Sequence, residues 1–284
     1  MNNLTIRQMQ RNELDELVEW AAIEGWNPGL SDADLFWEFD PQAFIAAEIA
    51  GQLVGGGSIV SYDGQFGFMG FFIIRADHRS KGLGNCLWHE RLKRLQQRLK
   101  TQSSIGMDGV FEMQSYYNRG GFRFAGRDLR FEGLGRTAPM PQEVVLLDEV
   151  PFAEIDAYDR MHFPATRTKF LQHWVRQCGS HARAINRNGK LCGFGVMRPC
   201  RLGYKIGPLF ANDAKAANDL YLSLVREVPG EPVFLDVPES NPDGLELAGR
   251  HAMKEVFGCA KMYYGEVPAL PVREIFGVTT FEFG

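Results

Sequence analysis

The 284-residue sequence predicts an α/β protein built as two tandem units, each a mixed, mostly antiparallel sheet flanked by helices. Three observations carry this expectation. An unbroken apolar run, residues 66–74, meets a glycine-bearing turn and then an amphipathic helix pattern. Turn signals at Gly51-Gln52, Asp63-Gly64 and Asn188-Gly189 join strand patterns into antiparallel hairpins. The order of elements read before residue 134 also recurs after residue 143, across a stretch bearing Gly135, Pro139 and Pro141.

Residues 4–7 read as a first strand. Asn12 is placed to cap a helix carrying Leu14, Leu17, Val18 and Ala21, because its side chain accepts from the free amides of a first turn. The stretch 24–29, Glu-Gly-Trp-Asn-Pro-Gly, breaks that helix. A short helix after Ser31 begins with Asp32 and Asp34, acids suited to a helix N-terminus. Residues 43–50 and 53–62 form a hairpin, and Asp63-Gly64 turns the chain into the 66–74 run. Apolar and without alternation, that run reads as one strand covered on both faces. Leu83, Leu87, Leu92, Leu95 and Leu99 then mark a helix stripe, with Arg91, Lys93, Arg94, Arg98 and Lys100 on its solvated remainder. Residues 105–110 are a short strand, 111–120 a helix of one to three turns, and 127–131 the last strand of the first unit.

The turn between strand and helix is the informative one. A helix head carries unpaired amides and the positive end of the dipole, and glycines let a ligand approach closely. Such a site suits a phosphate or pyrophosphate. No Lys-Ser/Thr follows a six-residue glycine frame, and the third glycine of the dinucleotide fingerprint is missing. The hexad Arg79-Ser80-Lys81-Gly82-Leu83-Gly84 is instead Arg-x-x-Gly-x-Gly. After an apolar strand it resembles the pyrophosphate arm of the GNAT N-acetyltransferases; the plain alternative is a strand-to-helix turn with glycines for packing.

That resemblance implies acetyl-CoA as co-substrate. Its pyrophosphate would lie on Arg79, Ser80, Lys81, Gly82, Leu83 and Gly84. Asn85 either adds a side-chain contact or only opens the helix. Backbone groups of Phe72 and Ile74 would run beside the pantetheine arm, an extended partner for a splayed strand. The segment Tyr116-Tyr117-Asn118-Arg119-Gly120-Gly121-Phe122 resembles the family's Tyr-x-x-x-Gly-Phe. Its register makes Tyr117 the general acid for the leaving thiolate; the alternative is a packing tyrosine. Val110 stands where many members carry Asn. Asp108 and Glu112 flank the strand end where the acetyl group would lie. Asp108 is either a proton acceptor or a turn cap before Gly109, and Glu112 a substrate-side carboxylate. Glu24, Trp26 and Asn27 fall in the loop that walls the acceptor site in the family, unless Trp26 is a core plug in an ordinary turn.

The second unit repeats the pattern: helices at 152–160 and 166–178, strands at 182–187, 191–198 and 204–209, a helix at 214–225, a strand at 233–237, a helix at 245–256 and a strand at 261–264. At its loop position stands Gly207-Pro208-Leu209-Phe210-Ala211, with no Gly-x-Gly and a proline lacking the needed amide. These residues, with Glu24-Gly25-Trp26-Asn27-Pro28-Gly29, Asp108-Gly109-Val110 and Asp236-Val237-Pro238, resemble the YitH-type tandem GNAT proteins. The implied domains are an acetyl-CoA-binding 1–134, a linker 135–143 and a degenerate 144–284 that does not bind the cofactor. Tyr204, Asp236 and Arg167 would close the acceptor site. The implied activity is direct transfer of acetyl to a small amine. A non-catalytic acyl-CoA sensor or scaffold, and a lysine or N-terminal acetyltransferase of proteins or peptides, stay open beside it.

Composition bounds the rest. With 31 basic and 35 acidic residues the net charge is −4, so no global field favours nucleic acid. Eight of those basic residues nevertheless lie between Arg75 and Lys100, near the expected anion site. The five scattered cysteines, without a Cys-x-x-Cys pair, suggest reduced thiols in a cytoplasmic protein. No histidine has a partner at metal or triad spacing, and no metal is expected. No signal-peptide core or membrane-length run is seen, so no membrane is expected.

Overall fold

Local signals set the helix starts. Helix α1 (Arg11–Ile23) starts after Gln10, whose backbone N–H donates to the Glu13 carboxylate at 2.7 Å while Glu13 N donates to the Gln10 carbonyl at 3.1 Å. Asn12 therefore sits one residue inside the helix rather than at its cap. In the second half, Asp213 and Asn241 cap their helices by accepting from Ala216 N (2.7 Å) and Gly244 N (3.2 Å). The computed structural model describes residues 4–284.

The first half runs β1 (Leu4–Gln8), α1, α2 (Asp32–Phe39), β2 (Phe44–Ile49), β3 (Gln52–Ser58), β4 (Val60–Tyr62), β5 (Phe66–Phe68), β6 (Ile73–Ile74), α3 (Leu83–Gln97), β7 (Ser104–Val110), α4 (Gln114–Arg119) and β8 (Arg123–Leu134). The second runs β9 (Val144–Leu146), α5 (Phe152–His162), α6 (Thr168–Trp174), β10 (His181–Arg187), β11 (Lys190–Pro199) and β12 (Tyr204–Ala211). It closes with α7 (Ala214–Val225), β13 (Pro232–Pro238), α8 (Pro242–Arg250), β14 (Lys254–Tyr264) and a short β15 (Ile275–Gly277) that the sequence reading did not include.

Two expected single strands are each broken in two. Residues 53–62 divide into β3 and β4, and residues 66–74 into β5 and β6, because each member pairs in a different sheet. A four-stranded sheet has the order β1-β2-β3-β6. The large sheet runs β4-β5-β7-β14-β8-β13-β12-β11-β10-β9, with β15 on β12. The large sheet crosses the expected 135–143 boundary by strand exchange. Strand β14, from the second half, lies between β7 and β8 of the first. Strand β8 in turn pairs with β13 along Asp128–Leu134.

Buried ion pairs also tie the halves together. Arg198 reaches Asp32 at 3.0 Å, and Arg130 grips Asp236 with two bonds of 2.6 and 2.8 Å. Losing one partner of such a pair leaves a buried charge uncompensated, which typically costs about 3–5 kcal/mol.

Candidate active site

The break between β5 and β6 makes the site. Strand β5 runs parallel to β7 as far as Phe68↔Gly106, and Met69 N donates to Gly106 O at 3.0 Å. The chain then swings to β3, where Ile73 and Ile74 pair with Gly56 and Gly55. Past Gly106 no strand among the described residues lies beside the β5-facing edge of β7, and a cleft of about 480 Å³ opens there. Phe71 and Phe72, on its wall, have amides paired with no protein acceptor among the described residues.

Arg91 pins the point of divergence. Its Nη2 donates to the carbonyls of Ser58 and Gly70, each at 2.6 Å, and its guanidinium lies 5.1 Å from the Phe72 ring centroid. The sequence placed Arg91 on the solvated face of α3; the structure buries it completely, beside Leu87, Trp88 and Leu95. Burial without a counter-ion lowers its pKa to about 9. Gly57 makes room for it, since a Cβ there would come within 2.5 Å of the guanidinium.

At the cleft's other end stands the head of α3. Its N-cap is Gly82, in the left-handed region at φ +79°, and no side chain among the described residues caps it. The amides of Ser80, Lys81, Gly82, Leu83 and Gly84 have no protein acceptor among the described residues. A Cβ on Gly84 would lie 3.6 Å from Phe72, so a side chain added there enters the cleft. Arg79 donates to Ile74 O at 2.8 Å and pairs with Glu24 across the mouth. The second half lacks this arrangement. The head of α7 is occupied by the Asp213 carboxylate, and β15 pairs with Leu209 and Phe210 where the first half leaves its wedge open.

Tyr117 is buried against Trp88, ring centroids 5.2 Å apart, and lines the cleft. Burial pushes its phenol well above the ordinary range, with the nearby Arg91 charge opposing only in part. Asp108 also lies along the cleft, but its carboxyl is enclosed, 3.5 Å from Lys261 of β14. Burial drives its pKa up to about 8 despite that lysine, and Asp128 adds to the rise. Lys261, held charged by these carboxylates, also lies 2.8 Å from Asp128. Cys259 next to it carries a thiol raised by burial, and so is no ready nucleophile.

Two family models match the chain, one in each half. Residues 11–122 match "Acetyltransferase (GNAT) family" and residues 155–277 match "Acetyltransferase (GNAT) domain". The chain belongs to the GNAT acetyltransferases. As a tandem GNAT enzyme it is similar along most of its length to "Holothin acyltransferase" of Pseudoalteromonas sp. (strain SANK 73390), 25% identical over 94% of this chain and 90% of that one. It is 23% identical to "Uncharacterized N-acetyltransferase YitH" of Bacillus subtilis (strain 168), over 69% of this chain and 71% of that one. A solved structure of a putative acetyltransferase from Pyrococcus horikoshii shares the fold, with TM-score 0.84 and 21% identity over 100% of this chain and 97% of that one.

Within this GNAT fold the cleft brings together most of the expected residues. Glu24, Trp26, Phe72, Ile74, Arg79, Ser80, Gly84, Asp108 and Tyr117 all border it. Lys81, Gly82, Leu83 and Asn85 stand at the adjoining helix head, where Asn85 accepts from the Tyr116 hydroxyl at 3.2 Å. Two expected residues lie outside its wall. Glu112 is exposed and outside the cleft wall, because the chain turns at Phe111. Asn27 spends its amide on the second half instead, bonded to Leu202 O and N at 3.0 and 2.9 Å. The turn-cap alternative for Asp108 also fails, since the residue lies within β7.

The contributors expected from the second half are elsewhere too. Arg167 is buried on Asp159, Asp236 on Arg130, and Tyr204 packs beside His181. Phe257, Cys259, Phe281 and Glu282 line the cleft instead. Only strand exchange and the final segment bring them there. No local motif marked them.

Among the described residues no group of His, Cys, Asp and Glu is placed to hold a metal, and no helix is long and apolar enough to cross a membrane.

Proposed function

We propose that the enzyme transfers the acetyl group of acetyl-CoA to a small amine by direct attack, both substrates being held in one cleft. The observation that carries this reading is the row of five acceptor-free amides, Ser80 to Gly84, at an uncapped helix head beside the wedge. Those donors fit a pyrophosphate. The open edges at Phe71–Phe72 and along β7 fit an extended amide-bearing arm between them. The bound co-substrate supplies an activated thioester, so no enzyme nucleophile is required.

The protein's share is placement, charge stabilisation and proton handling. Holding the two reactants in one cleft removes much of the entropic barrier. An amide near Ile74 would donate to the developing oxyanion, a preorganised contribution that is often the largest single one. Tyr117 keeps its proton across the neutral range and can give it to the departing thiolate. The cleft's walls between Met69 and Ile74 are apolar, which limits water at the thioester. The second half then serves as an acceptor-side wall, because its own helix head and wedge are filled by Asp213 and β15. The walls given by Phe257 and Phe281 favour a small acceptor over a protein chain.

The test is thiol release from acetyl-CoA with a panel of small amines, with mass spectrometry of the products. N-acetylated amine supports the reading. Acetyl-CoA bound but never consumed would transfer the weight to a sensor.

A further inference from the structure

Three carboxylates border the cleft: Glu24, Asp108 and Glu282. Glu24 is engaged at the mouth by Arg79. The Asp108 carboxyl is enclosed beside Lys261 and has no accessible oxygen. Glu282 differs. Thr280 donates to one of its oxygens, and the other accepts from no protein donor among the described residues. Its backbone rests on the point where β5 and β6 part, since a Cβ on Gly70 would lie 2.1 Å from the Glu282 carbonyl oxygen.

The surrounding charge also calls for a carboxylate there. Arg130, Arg198 and Lys205 are buried behind the cleft, and each is influenced by Glu282. Asp236 and Asp32 match the two arginines directly. Among the described residues Lys205 reaches only backbone carbonyls, Asn27 O at 3.0 Å and Trp26 O at 3.5 Å. With the Glu282 carboxylate the group holds three basic and three acidic side chains, the pairing that buried charges need. Around it the cleft is aromatic: Trp26, Phe71, Phe257 and Phe281. The last two are tilted rings 6.3 Å apart, backed by the Arg130 guanidinium at 5.4 and 5.0 Å.

We propose that Glu282 is the acceptor-side catalytic residue, taking the proton of an amine carried on a flat, apolar body held by these rings. This rests on the acetyl-transfer reading above. The nitrogen forms its bond to the acyl carbon and gives its proton to the Glu282 carboxylate. The carbon–sulfur bond breaks, and the thiolate takes the Tyr117 proton. Solvent exchange moves the proton from Glu282 back to Tyr117, so the cycle closes without another reagent. The second half thus contributes chemistry as well as a wall.

The experiment compares the full-length protein with Glu282→Gln and Glu282→Asp, using 2-phenylethylamine and spermidine as probes. Wild type should prefer phenylethylamine in kcat/KM. Glu282→Gln should lower that value about 100-fold or more, the range of a lost general base. It should also weaken phenylethylamine binding to the CoA-saturated protein at least tenfold by calorimetry, while acetyl-CoA affinity stays within twofold. Wild-type turnover in Glu282→Gln, or spermidine preferred by the wild type, overturns the proposal. If the Gln variant does not fold, Glu282→Asp decides: an unchanged kcat/KM overturns it, and a loss with intact acetyl-CoA affinity supports it. No thiol release with any amine tested sinks the acetyl-transfer reading instead, and this one with it.

Discussion

Arg91 Nη2 donates to the Gly70 carbonyl at 2.6 Å, tying the middle of α3 to the residue at which the chain leaves one sheet for the other. The same nitrogen holds Ser58 O, so a single buried guanidinium bridges both sides of the divergence. The cleft exists because these strands part, and Arg91 fixes where.

Replacing Arg91 by Met should therefore harm function more than stability. It removes an uncompensated buried charge but leaves the Ser58 carbonyl short of a donor, an effect of about 1–3 kcal/mol in the opposite direction. We expect a Tm shift of only a few degrees with kcat/KM lowered at least tenfold. Gly57→Ala should reproduce the loss by crowding the guanidinium. Wild-type kinetics in both variants would remove Arg91 from the account.

The helix head gives two separable predictions. Gly84→Trp places a ring toward Phe72 and should abolish measurable acetyl-CoA binding by calorimetry. Gly82→Ala meets no atom within 4 Å, so its cost is backbone strain at φ +79°, about 1–2 kcal/mol. It should lower Tm by a few degrees and weaken acetyl-CoA severalfold, because the amides turn with the backbone.

Tyr117→Phe keeps the ring on Trp88 and removes only the proton. Turnover at saturating substrates should fall about 100-fold, with acetyl-CoA affinity within twofold. Because burial holds the phenol above its ordinary range, Tyr117 should not itself cause a loss of rate at moderately alkaline pH. Equal turnover in Tyr117→Phe would rule out the acid role.

Asp108 predicts a pH dependence of stability. Its pKa rises from the ordinary carboxylate range to about 8 in the fold, so the folded state binds its proton more tightly than the unfolded state. The resulting stabilisation is complete below about pH 4 and is lost as the pH climbs through about 8. Relative to Asp108→Asn, the wild type should thus lose stability between pH 5 and pH 8 in urea titrations. A constant difference across that range would contradict the buried, protonated assignment.

Much of this was legible because it is local. Arg79 to Gly84, the apolar run before them and the tyrosines ahead of Gly121-Phe122 occupy one stretch of chain, and their spacing fixes their relations. Hairpins at Asp63-Gly64 and Asn188-Gly189 were equally readable, since a turn is decided by two residues. What could not be read depends on distant partners. The 66–74 run gives no sign of its break, because both pieces are apolar and only their choice of sheet differs. Arg91 looks solvated by composition, and its burial follows from Gly57 and Gly70, remote in sequence. The exchange of β8 and β14 places Phe257 and Cys259 in the cleft, and the final segment adds Glu282; neither has a local signature.

The most direct test is a crystal structure with acetyl-CoA bound. The account predicts its pyrophosphate on the amides of Ser80 to Gly84, its pantetheine arm between Phe72 and the edge of β7, and its sulfur near Tyr117. Density for the cofactor at the head of α7, or anywhere away from the wedge between β6 and β7, would contradict it.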